Sequence, residues 1–450
     1  MPGFLLKKII FLNLLLFFGR YDIIKIVLII CDGEVSFRMK ISQKARSAIF
    51  LGTLCSVSYL AVYIARNILG VVTPYMEADG INGDFLGLVF SVYSVSYAIG
   101  QLINGAIGNR IKAKYMISAG LLLAGISSFV FSALVATSAM AIVAYAMTGF
   151  FLSMIYGPMT KVVSESTELI YATRCSLGYT FSSFFGSPMA GVLATCFTWQ
   201  TTFAVSSATL VAMAVLCFGC FLVFERKGIV KYPPRIKKSD VKLENNVGIK
   251  GLFKHKIVKF SIIAMITGVI RSSFVVFFLT SYFAEYLGFV NEKASSTYSV
   301  VTLFISFTAF IAVFVYEKLM KKNMHTCVLL FFSLAALCFL LSYFAKGVYV
   351  NIAFILLGIM SSNSASSVLW SIYCPSLKDT GLVSGATGFL DFLSYMSAAA
   401  ATLVIGAVKA ASGWSAVIIL LIALMAVGII ISLPYDRIFK KAEKGDINNA

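Results

Sequence analysis

Residues 225–256 read ERKGIVKYPPRIKKSDVKLENNVGIKGLFKHK, the longest polar interruption in an otherwise apolar chain. So many lysines around the adjacent Pro233 and Pro234 cannot bury a core, so the stretch reads as a connector. Apolar windows repeat outward from it on both sides. Before it lie 48–76, 85–107, 115–136, 138–160, 173–195 and 200–224; after it lie 257–284, 294–316, 325–345, 348–373, 380–408 and 413–434. A helix of roughly 20 apolar residues crosses a hydrocarbon core of ~30 Å, and only a helix satisfies every backbone group within one such segment. The expected fold is therefore all-α and membrane-integral, with twelve transmembrane helices in two six-helix bundles. The expected divisions are an N-terminal extension (1–46), a first bundle (47–224), the basic linker (225–256), a second bundle (257–434) and a basic tail (435–450).

Composition supports a membrane protein. Of 450 residues, 59% are hydrophobic and 12% charged, against about a quarter charged in soluble domains. The formal charge of +18 would suggest a nucleic-acid partner in a soluble protein. Its distribution excludes that. The 37 Lys and Arg cluster at the N-terminus, in alternate loops and in the tail, and only Lys293, Lys346 and Lys409 fall in the intervening loops. Such asymmetry places both termini and the linker in the cytoplasm of a multi-pass protein of the plasma (inner) membrane. The first 38 residues form no clean further span, because Lys7, Lys8, Arg20, Asp22 and Lys25 interrupt the apolar runs 9–17 and 23–31. Met39 opens MKISQKARSAIFLG, which reads as a natural start, so 1–38 is expected to be an interfacial segment or a start-site artefact.

Nine cysteines (Cys31, Cys55, Cys175, Cys196, Cys217, Cys220, Cys327, Cys338 and Cys374) are scattered without metal-ligand spacing, and His255 and His325 sit among lysines. No metal and no cofactor is expected. No phosphate loop or nucleophile–base pair appears either, so an enzyme or an ATP-driven pump is not expected.

Two arginines fall inside apolar spans: Arg66 in SYLAVYIARNILGVV (58–72) and Arg271 in GVIRSSFVVFFLTSYF (268–283). An arginine at mid-membrane costs at least ~2.5–3.5 kcal/mol, so an unpaired one needs a reason. Each sits in the first span of its half. If the halves are related by a pseudo-two-fold axis, both guanidinium groups face one central cavity. Tyr59, Tyr63, Arg66 and Gly70 share a helical face with Asn67 beside them, a set suited to holding an oxyanion. Around Arg271 the same arithmetic gives Ala264, Thr267 and Gly268, small residues that leave room for a ligand or for a neighbouring helix. A guanidinium fork matches phosphate or carboxylate in two-point contact, so the expected partner is an anionic small molecule.

SYLAVYIARNILGVVTPYM (58–76), YAIGQLINGAIGNR (97–110), GVIRSSFVVFFLTSYF (268–283) and GATGFLDFL (385–393) resemble the organophosphate:phosphate antiporter branch of the major facilitator superfamily. The resemblance runs from about 46 to 434. It implies that Arg66 and Arg271 bind the phosphoryl group and that Tyr59, Tyr63 and Tyr97 orient it. Gln101 stands where the glycerol-phosphate transporters of that branch carry a lysine, and Ser182 where they carry a histidine. Phe278 and Leu279 stand where span seven of the family has a proline. The superfamily's loop signature appears as GAIGNRIKAK (105–114). Asn109 and Arg110 are expected to contact the cytoplasmic gate, with Glu317 and Lys318 of YEKLMKKN (316–323) as their counterparts.

Asp391 is a third charge within a span. It is expected to couple protons to transport or to lock helices together. The expected function is a secondary transporter exchanging an organophosphate for inorganic phosphate by alternating access, acting as a monomer. Two alternatives remain: a proton-coupled symporter of a carboxylate or sugar acid using Asp391, and a transporter-like sensor of a phosphorylated metabolite docking a partner near 225–256.

Overall fold

The computed structural model describes residues 43–107, 111–135, 139–230, 257–320, 323–374 and 383–433. All regular structure in them is helical. The helices are α1 (Gln43–Ala78), α2 (Gly83–Ile107), α3 (Ala113–Leu134), α4 (Met140–Ser166), α5 (Leu169–Cys196) and α6 (Trp199–Arg226). After the linker come α7 (Ile257–Tyr286), α8 (Asn291–Leu319), α9 (Met324–Phe344) and α10 (Val348–Tyr373). The last helix, Val383–Ser432, is broken at Gly413, whose φ of 74° only glycine adopts readily. It is written as α11 (383–412) and α12 (414–432). Most helices begin or end within about a turn of the expected windows. Ten stretches among the described residues are long and apolar enough to cross a membrane, the last of them running through Gly413.

Short polar side chains set several starts. Asn82 Oδ1 accepts from the Asp84 amide at 2.7 Å before α2, Thr198 accepts from the Thr201 amide at 3.3 Å before α6, and Asn323 does the same for the Thr326 amide at 3.3 Å before α9. Each satisfies an amide of the first helical turn that has no partner within its own helix.

The packing repeats on adding six to every helix number. Helix α1 packs on α5 as α7 does on α11, and α2 on α4 as α8 does on α10. The pair α3 and α4 corresponds to α9 and α10, and α3 and α6 to α9 and α12. Between the halves, α2 meets α11 and α5 meets α8, and these two crossings exchange under the same operation. With no gain from water exclusion in lipid, such crossings depend on close approach at small residues. Gly70 is one: a Cβ there would run into the Val276 carbonyl oxygen and lie 2.6 Å from Phe277 Cα, so α1 and α7 touch backbone to backbone. Gly268 is another, packed against Ser394 of α11. The small face expected near Arg271 is thus filled there by a neighbouring helix.

Helix α7 is the irregular one. It is α-helical over Ile257–Gly268, then a π-helix over Val269–Phe278, with a further π-helical stretch at Tyr282–Tyr286. The wider turn spans Arg271 and ends at Phe278, at the position where the resembling family has a proline. Both devices break the regular hydrogen-bond ladder, and π-helical turns are frequent at functional sites.

Candidate functional site

The site forms where α1, α2, α7 and α11 converge. Arg66 is 5% exposed, and among the described residues it makes no ion pair. Its guanidinium carbon lies 5.4 Å from the Tyr63 ring centre, 5.2 Å from Tyr97 and 4.7 Å from Tyr395. Aromatic faces attract a desolvated cation by ~0.5–2 kcal/mol each. Three rings therefore hold the arginine where a carboxylate partner would otherwise be needed. Tyr63 and Tyr97 come from the first half and Tyr395 from the second, with the Tyr97 and Tyr395 rings 4.8 Å apart.

Arg271 enters from the π-helical part of α7 and is partly exposed. It lies within electrostatic reach of Arg66, Tyr63, Tyr395 and Asp391, so the two arginines come from symmetry-related helices into one charged neighbourhood. Asp391 lies within electrostatic reach of both guanidinium groups, and among the described residues no ion pair joins it to either. With Asp391 ionised, the three groups leave a single positive charge between the halves.

The other expected residues divide into those beside Arg66 and those that support its surroundings. Tyr59 is buried in an aromatic cluster, 5.0 Å from Tyr63 and 5.5 Å from Tyr156 by ring centres, one turn toward the start of α1. The Gln101 amide donates to the Tyr97 hydroxyl at 2.9 Å, which orients that phenol beside Arg66. Asn67 donates to the Tyr63 carbonyl at 2.5 Å, and its own buried Oδ1 accepts nothing. Ser182 is buried and donates back to the Gly178 carbonyl of its own helix at 3.1 Å. No contact ties it to the arginines.

Asn109 and Arg110 lie outside the described residues, while Glu317 and Lys318 are exposed at the end of α8. At the end of the same loop signature, however, Lys114 is buried and pairs with Glu225 at 2.6 Å, tying α3 to the end of α6 where the linker begins.

Sequence reasoning missed Tyr395, the ring closest to Arg66, and also Tyr93 and Tyr145. The last two are buried with unpartnered hydroxyls and rings 4.9 Å apart, both within electrostatic reach of Arg66. Tyr395 follows Asp391 by one helical turn, so the face that carries the acid also carries the ring. That spacing was available in the sequence.

Comparison with known proteins places this arrangement. The Major Facilitator Superfamily profile matches residues 55–399, and the chain belongs to that superfamily. Among curated relatives, a hexuronate transporter of Bacillus subtilis (strain 168) is 25% identical over 280 residues, covering 58% of this chain and 63% of the relative. A glycerol-3-phosphate transporter of the same organism is 27% identical over 89 residues, 20% of each chain. The chain thus matches less than two thirds of the length of either. Solved structures agree on the fold. A POT family transporter in complex with a thioalcohol-conjugated peptide gives a TM-score of 0.70 at 14% identity, covering 89% of this chain and 98% of the other. A D-xylose–proton symporter gives 0.67 at 11% identity, covering 87% and 97%. The protein is therefore a multi-pass membrane protein of the major facilitator fold.

Proposed function

We propose that this protein is a secondary transporter of an organic anion, which Arg66 and Arg271 clamp between the two halves. One observation carries the reading: Arg66 is buried with no ion pair among the described residues, and it lies within electrostatic reach of Arg271 on the symmetry-related helix of the other half. A charge so deep is tolerated when a partner arrives from outside the chain. The remaining helices are proposed to complete twelve crossings, with both termini on the basic, cytoplasmic side of the plasma membrane.

The protonation state of Asp391 divides the cargo classes. Protonated, it leaves two guanidinium groups to balance a phosphate dianion, which suits an organophosphate exchanged for inorganic phosphate, as the resemblance implies. Ionised, it leaves one positive charge, which suits a single carboxylate such as a sugar acid. Asp391 lies within electrostatic reach of both arginines, which is compatible with this second reading, as is the presence of Gln101 and Ser182 where the resemblance implies lysine and histidine. The longer curated match, to a hexuronate transporter, points the same way.

Purified protein in liposomes decides. Vesicles preloaded with phosphate should take up a labelled organophosphate under the exchange reading. Vesicles with an imposed proton gradient and no internal phosphate should take up a sugar acid under the other. Uptake of neither class by any vesicle would overturn the anion reading.

A further inference from the structure

On the face opposite the basic linker, the ends of α1, α2, α7 and α11 bring together Glu77, Asp84, Glu285 and Lys409. Lys409 Nζ lies 3.0 Å from Glu285 Oε1, within its own half, and 4.0 Å from Glu77 Oε1 of the other half. Trp414 Nε1 donates to the second oxygen of Glu285 at 2.9 Å, and the lysine ammonium sits 5.6 Å from the Trp414 ring. The ammonium is thus fixed by the second half and presented to a carboxylate of the first. Asp84 of α2 lies against Gly406 of α11, and Gly83 leaves room for the Glu77 carboxylate. Asp79, on the same helix as Glu77, is engaged within the first half, accepting from Trp199 Nε1 at 2.7 Å. From α8, Glu292 lies near Tyr75, and Asn291 donates to the Pro74 carbonyl at 3.2 Å. A cavity of about 190 Å³, lined by Thr73, Glu77, Asp84, Ser281, Thr402 and Lys409 among others, reaches the cluster.

We propose that Lys409 is the pivot of a charge latch that holds the two halves together on this face, and that a proton on Glu77 tightens the latch. The charge count gives the direction. Within the second half Glu285 already neutralises Lys409, so closure brings Glu77 and Asp84 against a pair with no net charge. Three carboxylates then face one ammonium, and the closed cluster carries two negative charges in excess. A proton taken up through the cavity removes one of them and the repulsion between Glu77 and Glu285. Opening parts those carboxylates and returns Glu77 to water, where the proton leaves. The closed state therefore binds the proton more tightly, gains stability as pH falls and loses it as pH rises. The inference rests on alternating access of the superfamily fold and not on the identity of the cargo.

The test measures the latch directly. Spin labels at Met140→Cys and Tyr349→Cys, exposed positions at the starts of α4 and α10 on this face, report its opening by pulsed dipolar spectroscopy. The full chain is used in lipid nanodiscs, with Cys196 and Cys220 replaced by serine. The population at short distance should fall from pH 6 to pH 8. Lys409→Gln should shift the ratio of open to closed by roughly five-fold at every pH, the size expected for a partly exposed ion pair. Glu77→Gln should hold the closed population and flatten the pH dependence, and Asp84→Asn should weaken it. A parent protein insensitive to pH, a Glu77→Gln variant with the parent's pH profile, or an unchanged ratio in Lys409→Gln would each overturn the latch. A protein that carried no anion would still show these shifts, so failure of the cargo reading is separable.

Discussion

Gly70→Ala is the smallest change with a large expected effect. The added methyl would run into the Val276 carbonyl oxygen and fall 2.6 Å from Phe277 Cα, both backbone atoms of α7. An ordinary carbon contact needs about 3.4 Å, so α1 and α7 must part locally by at least about 0.8 Å. No side-chain rotation relieves this, because the obstacle is main chain. Overpacking of this kind costs about 1–3 kcal/mol, which shifts a conformational equilibrium by roughly 5- to 150-fold. The cost falls only on the state in which the halves touch here. The protein should therefore populate the conformation open on the face opposite the basic linker, with its helical content unchanged. Pulsed dipolar distances across that face should lengthen in the variant, and circular dichroism should match the parent. An unchanged distance distribution in a folded Gly70→Ala protein would refute the argument that this backbone contact closes the face.

Further outcomes follow from other contacts. Lys114→Met leaves Glu225 near the end of α6 without its 2.6 Å partner. Breaking such a pair costs ~3–5 kcal/mol when it is fully buried; Glu225 retains 22% exposure, so a smaller loss, measured as a lower thermal midpoint in detergent, is expected. Tyr395→Ala removes the ring nearest Arg66 and should weaken anion binding by several-fold, whereas Tyr395→Phe keeps the ring and should restore most of it; equal loss in both, by isothermal titration, would show that the hydroxyl is what matters. Asp391→Asn should flatten the pH profile of uptake if the acid couples protons, and identical profiles in variant and parent would remove it from that role.

The fold was largely legible because span length, loop charge and the polar linker are one-dimensional signals. The all-helical, membrane-crossing character of the chain and most helix boundaries followed from them. The contacts between halves were not legible. Gly268 read equally as ligand space or helix contact, and only Ser394 of α11 resolves it. The π-helix around Arg271 has no proline to announce it; the register shift lies in hydrogen bonding, which residue types alone do not encode. Tyr395 was overlooked because a tyrosine in an apolar span is ordinary, and its meaning depends on which ring faces Arg66 from the other half. Lys409 likewise read as a loop charge, until Glu77 and Glu285 gave it partners.

The central claim is that one anion bridges Arg66 and Arg271. It is tested most directly by anion affinity, measured by isothermal titration on purified protein, in Arg66→Lys, Arg271→Lys and the double variant. Lysine keeps the charge but loses the two-point fork. Each charge-assisted bond lost is worth ~1.5–3 kcal/mol, so each single change should weaken binding by roughly 10- to 150-fold. Because both forks grip the same anion, the two losses should be coupled, the double variant departing from their simple sum by at least ~0.5 kcal/mol. Affinity retained in either single variant, or losses that add as though the arginines were independent, would contradict a shared clamp.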